Sequence, residues 1–492
     1  MSRGRHRAVT ATALLLLTVA GTTISHPQAS AAPRGASALS LTIDARHPGP
    51  RVPSDFLGLS FEAKYIARIG GYAQRGNLVN LMRSLGTGLL RFGGVTADTQ
   101  AAWVPPGAVL PSWATTPITP ADLEGVADLY RRTRWRVLLA VNLGHLDPDA
   151  AASEARAAAL TLGRGLAAIE LGNEPNSYAS HGLRNWPWGF EQYLPEAELY
   201  RDAIRRQVPD AAIAGPDAST GPRQDAWASS AAAALVPELL TAHFYPLSHC
   251  AAFSPLVEDL NSLDTRQLVS GTMARLGALS RDAGQPLRLD EVNNISCGGQ
   301  AGVSETFASA LSAVDLITAA MSQGLAGINF HGAVENPHGY APIAACRAGG
   351  LLSGELCAQP EYYGLLLTRL LVGGRPLPIR RGGADRASVG ASAFRGPGGS
   401  LRIVLVDHRP AHGPAVLVRL ALPRGLRGGS VLRLTAPAAS ATRGVTLGGK
   451  PVDATGRWAP RGPLPTVRNR RGAALVWVPA TSATLLTFTS AR

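Results

Sequence analysis

Between residues 50 and 375 the chain carries eight short runs rich in Val, Ile, Leu and Phe, most of them separated by longer stretches with helical spacing. The runs are Phe56 to Phe61, Leu89 to Phe92, Arg136 to Asn142, Ala167 to Leu171, Ala211 to Ala214, Leu239 to Phe244, Leu287 to Asp290 and Gly327 to Phe330. Short apolar runs read as strands buried on both faces, as in a parallel sheet covered by helices. Ala121 to Arg132, Pro195 to Gln207, Thr265 to Ala283 and Thr306 to Gln323 read as covering helices. Eight strand-then-helix units predict a closed (β/α)8 TIM barrel over residues 51–375, rather than an open doubly wound sheet. No Gly-x-Gly-x-x-Gly follows the first run, which removes the main signal of a dinucleotide fold.

Past residue 375 the pattern changes to alternating runs broken by Gly and Pro: Ser388 to Phe394, Leu401 to Asp407, Ala415 to Ala421, Ser430 to Thr435 and Ala474 to Phe488. These predict a C-terminal all-β sandwich domain over residues 376–492. Ala38 to Ile43 also alternates, so the segment 32–50 is expected to pair with that domain. Before it, Arg3, Arg5 and Arg7 precede the apolar run Ala11 to Ala20, and Ala29-Ser30-Ala31 supplies small residues for cleavage. Residues 1–31 therefore read as a secretion signal peptide. The apolar stretch is about ten residues, against roughly 20 needed for a membrane anchor.

A secreted address makes the cysteines legible. Cys250, Cys297, Cys346 and Cys357 are an even set in an oxidising compartment, which permits three pairings or none. Cys346 and Cys357 are close enough to close one loop, which leaves Cys250 and Cys297 for each other. No Cys-x-x-Cys or His-x-x-x-His spacing supports zinc, and no metal or cofactor is expected. Lys plus Arg is 47 against 34 Asp plus Glu, a net charge of +13, which becomes 13 − 3 = +10 without the three leader arginines. That charge suits an acidic polysaccharide, but arginine is scattered along the whole chain and also serves solubility. Nucleic-acid binding is not expected, because no basic helix or stacking motif is present.

In a barrel of this kind the reacting groups follow the strands. The fourth run ends Glu170-Leu171-Gly172-Asn173-Glu174-Pro175-Asn176, and the seventh ends Leu289-Asp290-Glu291-Val292-Asn293-Asn294. Glu174 and Glu291 thus stand at the ends of strands four and seven, the equipment for cleaving a glycosidic bond with one acid/base and one nucleophile. Asn173 is suited to hold the sugar 2-hydroxyl. Helix capping competes as a role for Glu174, and Asp290 or a loop salt bridge competes with Glu291. Strand alternation predicts that only one of Asp290 and Glu291 faces the barrel axis.

Phe56-Leu57-Gly58-Leu59-Ser60-Phe61-Glu62, Leu90-Arg91-Phe92-Gly93-Gly94, the Glu170 to Asn176 segment and His243-Phe244-Tyr245-Pro246 together resemble glycoside hydrolase family 79, the β-glucuronidases and heparanases. The resemblance covers nearly the whole chain after the leader. It implies retaining hydrolysis of β-linked glucuronic acid, with Glu174 as acid/base and Glu291 as nucleophile. It also implies that Tyr245 hydrogen-bonds the nucleophile and that Glu62 holds distal sugar hydroxyls, although an ion pair with Lys64 or Arg91 competes for Glu62. Tyr340 and Ala341 would meet the uronate carboxylate through backbone N–H groups. His331 would donate to a hydroxyl or carboxylate, or else be a core histidine; His145 and Asp217 are further candidates near strand ends three and five. Val95 departs from the Asn that many relatives carry after Gly93-Gly94. Cys250 and Cys297 follow adjacent strands, and a disulfide beside the site is expected. The expected partner is a glucuronic-acid-containing glycan or glycoside, and the expected state is a monomer with no membrane anchor. An exo-β-glucuronidase, a heparanase-type endo-β-glucuronidase and a carbohydrate-binding protein without catalysis are the three readings. The insertions Trp103 to Thr119 and Ser177 to Gln192 bear on the choice between the first two.

Overall fold

The structure, a computed structural model, describes residues 39–490 apart from 220–223, 251–252, 348 and 384–387. The expected signal peptide lies outside the described residues. Eight parallel strands close a barrel: β1 (Leu57–Glu62), β2 (Leu89–Gly93), β3 (Arg136–Val141), β4 (Leu166–Leu171), β5 (Ile213–Ala218), β6 (Leu239–Phe244), β7 (Leu287–Val292) and β8 (Gly327–His331). Their order around the barrel is sequential, and β8 pairs β1 to close it. The (β/α)8 fold expected from the eight apolar runs is the fold observed.

Local chemistry sets the limits of the covering helices. Pro120–Thr133 starts at a reciprocal capping box between Thr119 and Asp122, with proline in the first turn, where its missing N–H costs nothing. Leu263–Ala283 is capped by the Ser262 side chain and stops at Gly284, whose φ of 66° suits glycine. Helix Phe307–Gln323 is buried along most of its length, because the β domain covers the side that a barrel helix usually shows to water.

The β domain is a sandwich. One sheet orders Ile379–Gly382, Leu39–Ile43, Val416–Ala421 and Ala473–Val478; the other orders Arg375–Leu377, Val389–Arg395, Leu401–Asp407, Ser482–Ser490, Leu426–Thr435 and Thr446–Leu447, with Thr466–Val467 also on Leu426–Thr435. The strand Leu39–Ile43 lies antiparallel to Ile379–Gly382 and parallel to Val416–Ala421. Alternation divides the larger sheet between two cores. Ile403, Leu405, Leu486 and Phe488 face the sandwich, while Val404, Val406, Leu485 and Leu432 join the core shared with the barrel. No helix among the described residues is long and apolar enough to cross a membrane.

One expectation needs correction. Ala474 to Phe488 is not one strand but two, Ala473–Val478 and Ser482–Ser490, and they belong to different sheets. Pro479 has no N–H for a ladder and Thr481 turns to φ 48°, so the chain crosses the sandwich where the apolar pattern runs on.

Candidate active site

Arg91 in β2 sits at the centre of the barrel and is fully buried. Its Nε donates to Glu170 Oε2 at 2.7 Å, Nη1 to Glu291 Oε2 at 2.8 Å, and Nη2 to Asp217 Oδ2 at 2.7 Å and Asn173 Oδ1 at 2.9 Å. Asp290 Oδ2 is 3.2 Å from Nε. Burial disfavours this cation, but the carboxylates of Asp217, Glu170, Asp290 and Glu291 outweigh it and raise its pKa well above the ordinary value. The two glycines after Arg91 are spatial requirements. A Cβ on Gly93 would lie 2.5 Å from the Arg91 guanidinium carbon, and one on Gly94 (φ 71°) 2.5 Å from the Glu62 carboxyl carbon.

Glu174 follows β4 in a left-handed conformation, φ 49° and ψ 51°, which a residue before proline rarely adopts. Its N–H donates to the Asp217 carbonyl at 3.0 Å, which ties the turn after β4 to the end of β5. Asp98 anchors the same turn from below, accepting from the N–H groups of Asn173, Leu143 and Gly144 at 2.7, 2.8 and 2.9 Å and from the Tyr178 hydroxyl at 2.7 Å. The Glu174 side chain remains about a fifth exposed. His243 Nδ1 lies 2.8 Å from Glu174 Oε1.

Glu291 is more enclosed. Tyr245 donates its hydroxyl to Glu291 Oε1 at 2.8 Å, opposite the Arg91 contact on Oε2. Burial opposes its ionisation, but His331, His243 and Arg91 prevail and hold the carboxyl down at about 2. The expectation that Asp290 and Glu291 face opposite ways fails. Both reach Arg91, because β7 changes register within residues 288–292 against each of its neighbours and the simple alternation breaks there. Both are buried, and at Asp290 burial and the Asp217 and Glu170 carboxylates push the carboxyl well above the usual range.

Around this centre, Glu62 accepts from the Thr96 N–H at 2.9 Å and the Thr96 hydroxyl at 2.6 Å, and its nearest cation is His331 at 3.6 Å, rather than Lys64 or Arg91. His331 Nδ1 pairs with Ser60 Oγ at 2.9 Å and stands 3.6 Å from Glu291. Tyr340 packs its ring beside Tyr245 and His331, with centroids 5.7 and 6.0 Å away. Asn293 holds that loop by donating to the carbonyls of His331 and Tyr340 at 2.8 and 2.7 Å, and Ala341 is buried next to Gly332. Cys250–Cys297 and Cys346–Cys357 are the two disulfides, the first joining the loops after β6 and β7. Val95 is exposed. His145 lies apart, stacked on Trp113 at 3.7 Å.

Asp217, a minor candidate in the sequence, is thus central, and Arg91 and His243 were visible there only as parts of motifs. One oxygen each from Glu174 and Glu291 and one His243 ring nitrogen lie within 4.8 Å of one another, as do donors from Asp217, His243 and Asp290. Either triplet offers metal-ligand atoms, but the Arg91 guanidinium already pairs with Glu291 in the first and with Asp217 and Asp290 in the second.

No family model and no curated protein matches the chain. Among solved structures it is similar to a 4-O-α-L-rhamnosyl-β-D-glucuronidase from Fusarium oxysporum 12S, with a TM-score of 0.75 and 20% identity over 91% of this chain and 100% of that one. It is similar to a GH51 arabinofuranosidase from Xanthomonas axonopodis pv. citri at TM-score 0.67 and 16% identity, over 92% and 100%. The catalytic domain of GH30 xylanase C from Talaromyces cellulolyticus gives 0.56 and 11%, over 92% and 100%. The chain has their fold. At these identities the likeness speaks to architecture, and the chemistry must come from the residues above.

Proposed function

We propose that the chain is a secreted retaining glycoside hydrolase of the family 79 type, removing terminal β-linked glucuronic acid or its 4-O-methyl form from glycans or glycosides. The observation that carries this reading is the Glu174–Glu291 pair, with one oxygen of each inside a 4.8 Å group. Retaining glycosidases hold their carboxyl groups about 5–5.5 Å apart, whereas inverting ones leave roughly 6.5–9.5 Å for a water. The two sites also divide the labour. Glu291, kept ionised between Tyr245 and Arg91, attacks the anomeric carbon while Glu174 gives a proton to the glycosidic oxygen, so the bond to the aglycone breaks as a glycosyl ester forms. Glu174 then takes a proton from the water that attacks the ester, and Glu291 leaves as a carboxylate.

The sugar is proposed on weaker support, namely the motifs shared with family 79 and the substrate named for the Fusarium oxysporum enzyme. The chain offers His331 for the uronate carboxylate. Burial opposes the imidazolium there, and Glu291 and Glu62 overcome it and raise the His331 pKa. Tyr340 and Ala341 would supply backbone N–H groups beside it. The two disulfides and the leader sequence support an extracellular location.

The test is release of p-nitrophenol from its β-glucuronide and β-glucoside by the mature protein, with NMR of the first-formed anomer. Glucuronide turnover with retained configuration, lost by about 10²–10⁴ in Glu174→Gln and abolished in Glu291→Gln, is expected. An inverted product, or turnover unchanged in both variants, overturns the reading.

A further inference from the structure

His243 is flanked by carboxylates on both ring nitrogens. Nε2 is 2.7 Å from Asp217 Oδ1 and Nδ1 is 2.8 Å from Glu174 Oε1, in a barrel interior where His243 and Asp217 are both wholly buried. A neutral imidazole has one N–H, so once Glu174 has given up its proton the ring faces two carboxylates and is suited to carry two protons. The backbone that carries the ring is held as well, because the Gln224 side-chain amide donates to the His243 main-chain carbonyl. Asp217 is fixed from two sides, by Arg91 Nη2 at 2.7 Å and by its own N–H donating to Thr241 Oγ1 at 3.1 Å. It holds a left-handed φ of 57°, a strained setting for a non-glycine residue.

We infer that Asp217 is a positioning residue that keeps His243 an imidazolium, and that this cation sets the pH range over which Glu174 gives and takes its proton. The inference deepens the glycosidase reading and rests on it for the role of Glu174.

The charged groups facing the ring come from three strands and a turn: Asp217 on β5, Glu174 after β4, Arg91 Nη2 on β2 at 3.4 Å, and Glu291 and Asp290 on β7 at 3.8 and 3.9 Å. Burial opposes the His243 cation, yet Asp217 and Glu291 together with the hydrogen bonds to Asp217 and Glu174 hold its pKa well above the ordinary imidazole range. Asp290, whose carboxyl is pushed above the usual range and whose oxygen stands 3.9 Å from the ring, is the weaker of these anions, and the Arg91 cation works against the charge on the ring. Asp217 is therefore the one fully ionised partner in direct hydrogen-bond contact with the ring from the side away from the substrate. Burial raises its carboxyl, but Arg91 and His243 overcome that and keep it below the usual range.

Replacing Asp217 by Asn keeps an acceptor for Arg91 and removes the charge. His243 then loses its second proton at a lower pH than in wild type, and Glu174 loses a cation 2.8 Å away. The alkaline limb of kcat/KM is expected to move up by about one pH unit or more. The acid limb moves less, because Arg91 and His331 still face Glu291.

Two measurements test this together. The first is nitrogen NMR of ring-labelled histidine across pH 5 to 9, with the His243 signal assigned by its loss in His243→Gln. It does not depend on turnover. Wild type should stay doubly protonated well above the pH at which a free imidazole titrates, and Asp217→Asn should lose the second proton at a lower pH than wild type. The second is the pH profile of wild type, Asp217→Asn, His243→Gln and the double variant. The two single variants should shift the alkaline limb alike, and the double variant no further. A His243 ring that is neutral at pH 7 in folded wild type overturns the inference. So does an Asp217→Asn profile that falls in height without moving. If the ring behaves as stated but wild type cleaves no glycoside, the glycosidase reading fails and the Asp217–His243 pairing stands.

Discussion

Arg91 in β2 and Arg288 near the start of β7 are buried in the same barrel, with 0% and 2% of their surface exposed. Arg91 meets four carboxyl groups. Arg288 donates to Asn329 Oδ1 at 2.6 Å and to the main-chain carbonyls of Asp55, Phe56 and Ala326 at 3.2 to 3.5 Å. Burial works against both cations, and the outcome depends on what surrounds them. At Arg91 the carboxylates win and the charge is secured; at Arg288 burial wins over Asp55 and Asp290 and pushes the group down to about 10. The barrel therefore concentrates full charges where Glu174 and Asp217 sit in strained conformations, and it closes its opposite end with dipoles. Conserving charge around Arg91 serves chemistry. Arg288 serves closure: a side chain on Gly327 would run into its guanidinium.

The largest effect that would break this comparison is at Arg91. Arg91→Met leaves Glu170, Asp217, Asp290 and Glu291 without their shared cation, and removing one partner of a buried ionic set costs about 3–5 kcal/mol. Its signature is pH-dependent. The folded chain holds Glu291 at about 2, below its unfolded value, so the resulting stability is complete above pH about 4.5 and is lost as pH falls toward 2. In Arg91→Met the folded value moves back up toward the unfolded one, so less of this stability is present at neutral pH and the fall toward pH 2 is shallower. Thermal melts from pH 3 to 7, with glucuronide turnover alongside, check this. A variant with wild-type melts and an unmoved acid limb would show that Arg91 does not organise the carboxylates.

Second in size is Arg288→Met. It removes hydrogen bonds to one side chain and three carbonyls and is expected to cost about 3 kcal/mol of stability. kcat/KM of the folded variant stays at the wild-type value, because none of the contacts made by Arg288 involves Glu174 or Glu291. Loss of activity without loss of stability would erase the division between the two ends of the barrel.

How far this division was visible in the sequence follows from what each feature depends on. The eight strands were legible because apolar runs between turn signals are local, and Glu174 and Glu291 because strand ends are local too. The placing of Asp290 and Glu291 on one side was not, since it comes from a change of register between strands. Arg91 read only as part of a motif and as a neighbour for Glu62. Its partners come from five other strands or their ends and stand up to 200 residues away, so only closure of the barrel reveals it. Asp217 and His145 looked alike as polar residues near strand ends. One turns into the barrel at φ 57°, and the other leaves it to stack on Trp113. The run Ala474 to Phe488 misled because hydrophobicity does not record which of two sheets a residue joins.

Glu154 sharpens the comparison with the smallest effect, as a buried ionisable group with neither carboxylate nor dipole in support. It lies in helix Pro148–Leu162, 3% exposed, with no hydrogen-bond partner for Oε1. Burial alone pushes its carboxyl up to about 8. The folded chain thus keeps a proton that the unfolded chain releases at pH about 4.5, so stability declines as pH rises from 4.5 to 8. Glu154→Gln has no proton to lose. It should match wild type at pH 5, melt higher at pH 8, and leave turnover unchanged at both. Equal melts at pH 8 would mean that burial in this barrel does not by itself govern ionisation. The contrast between Arg91 and Arg288 would then have to be explained by packing, with their opposite surroundings of charge and dipole as a consequence.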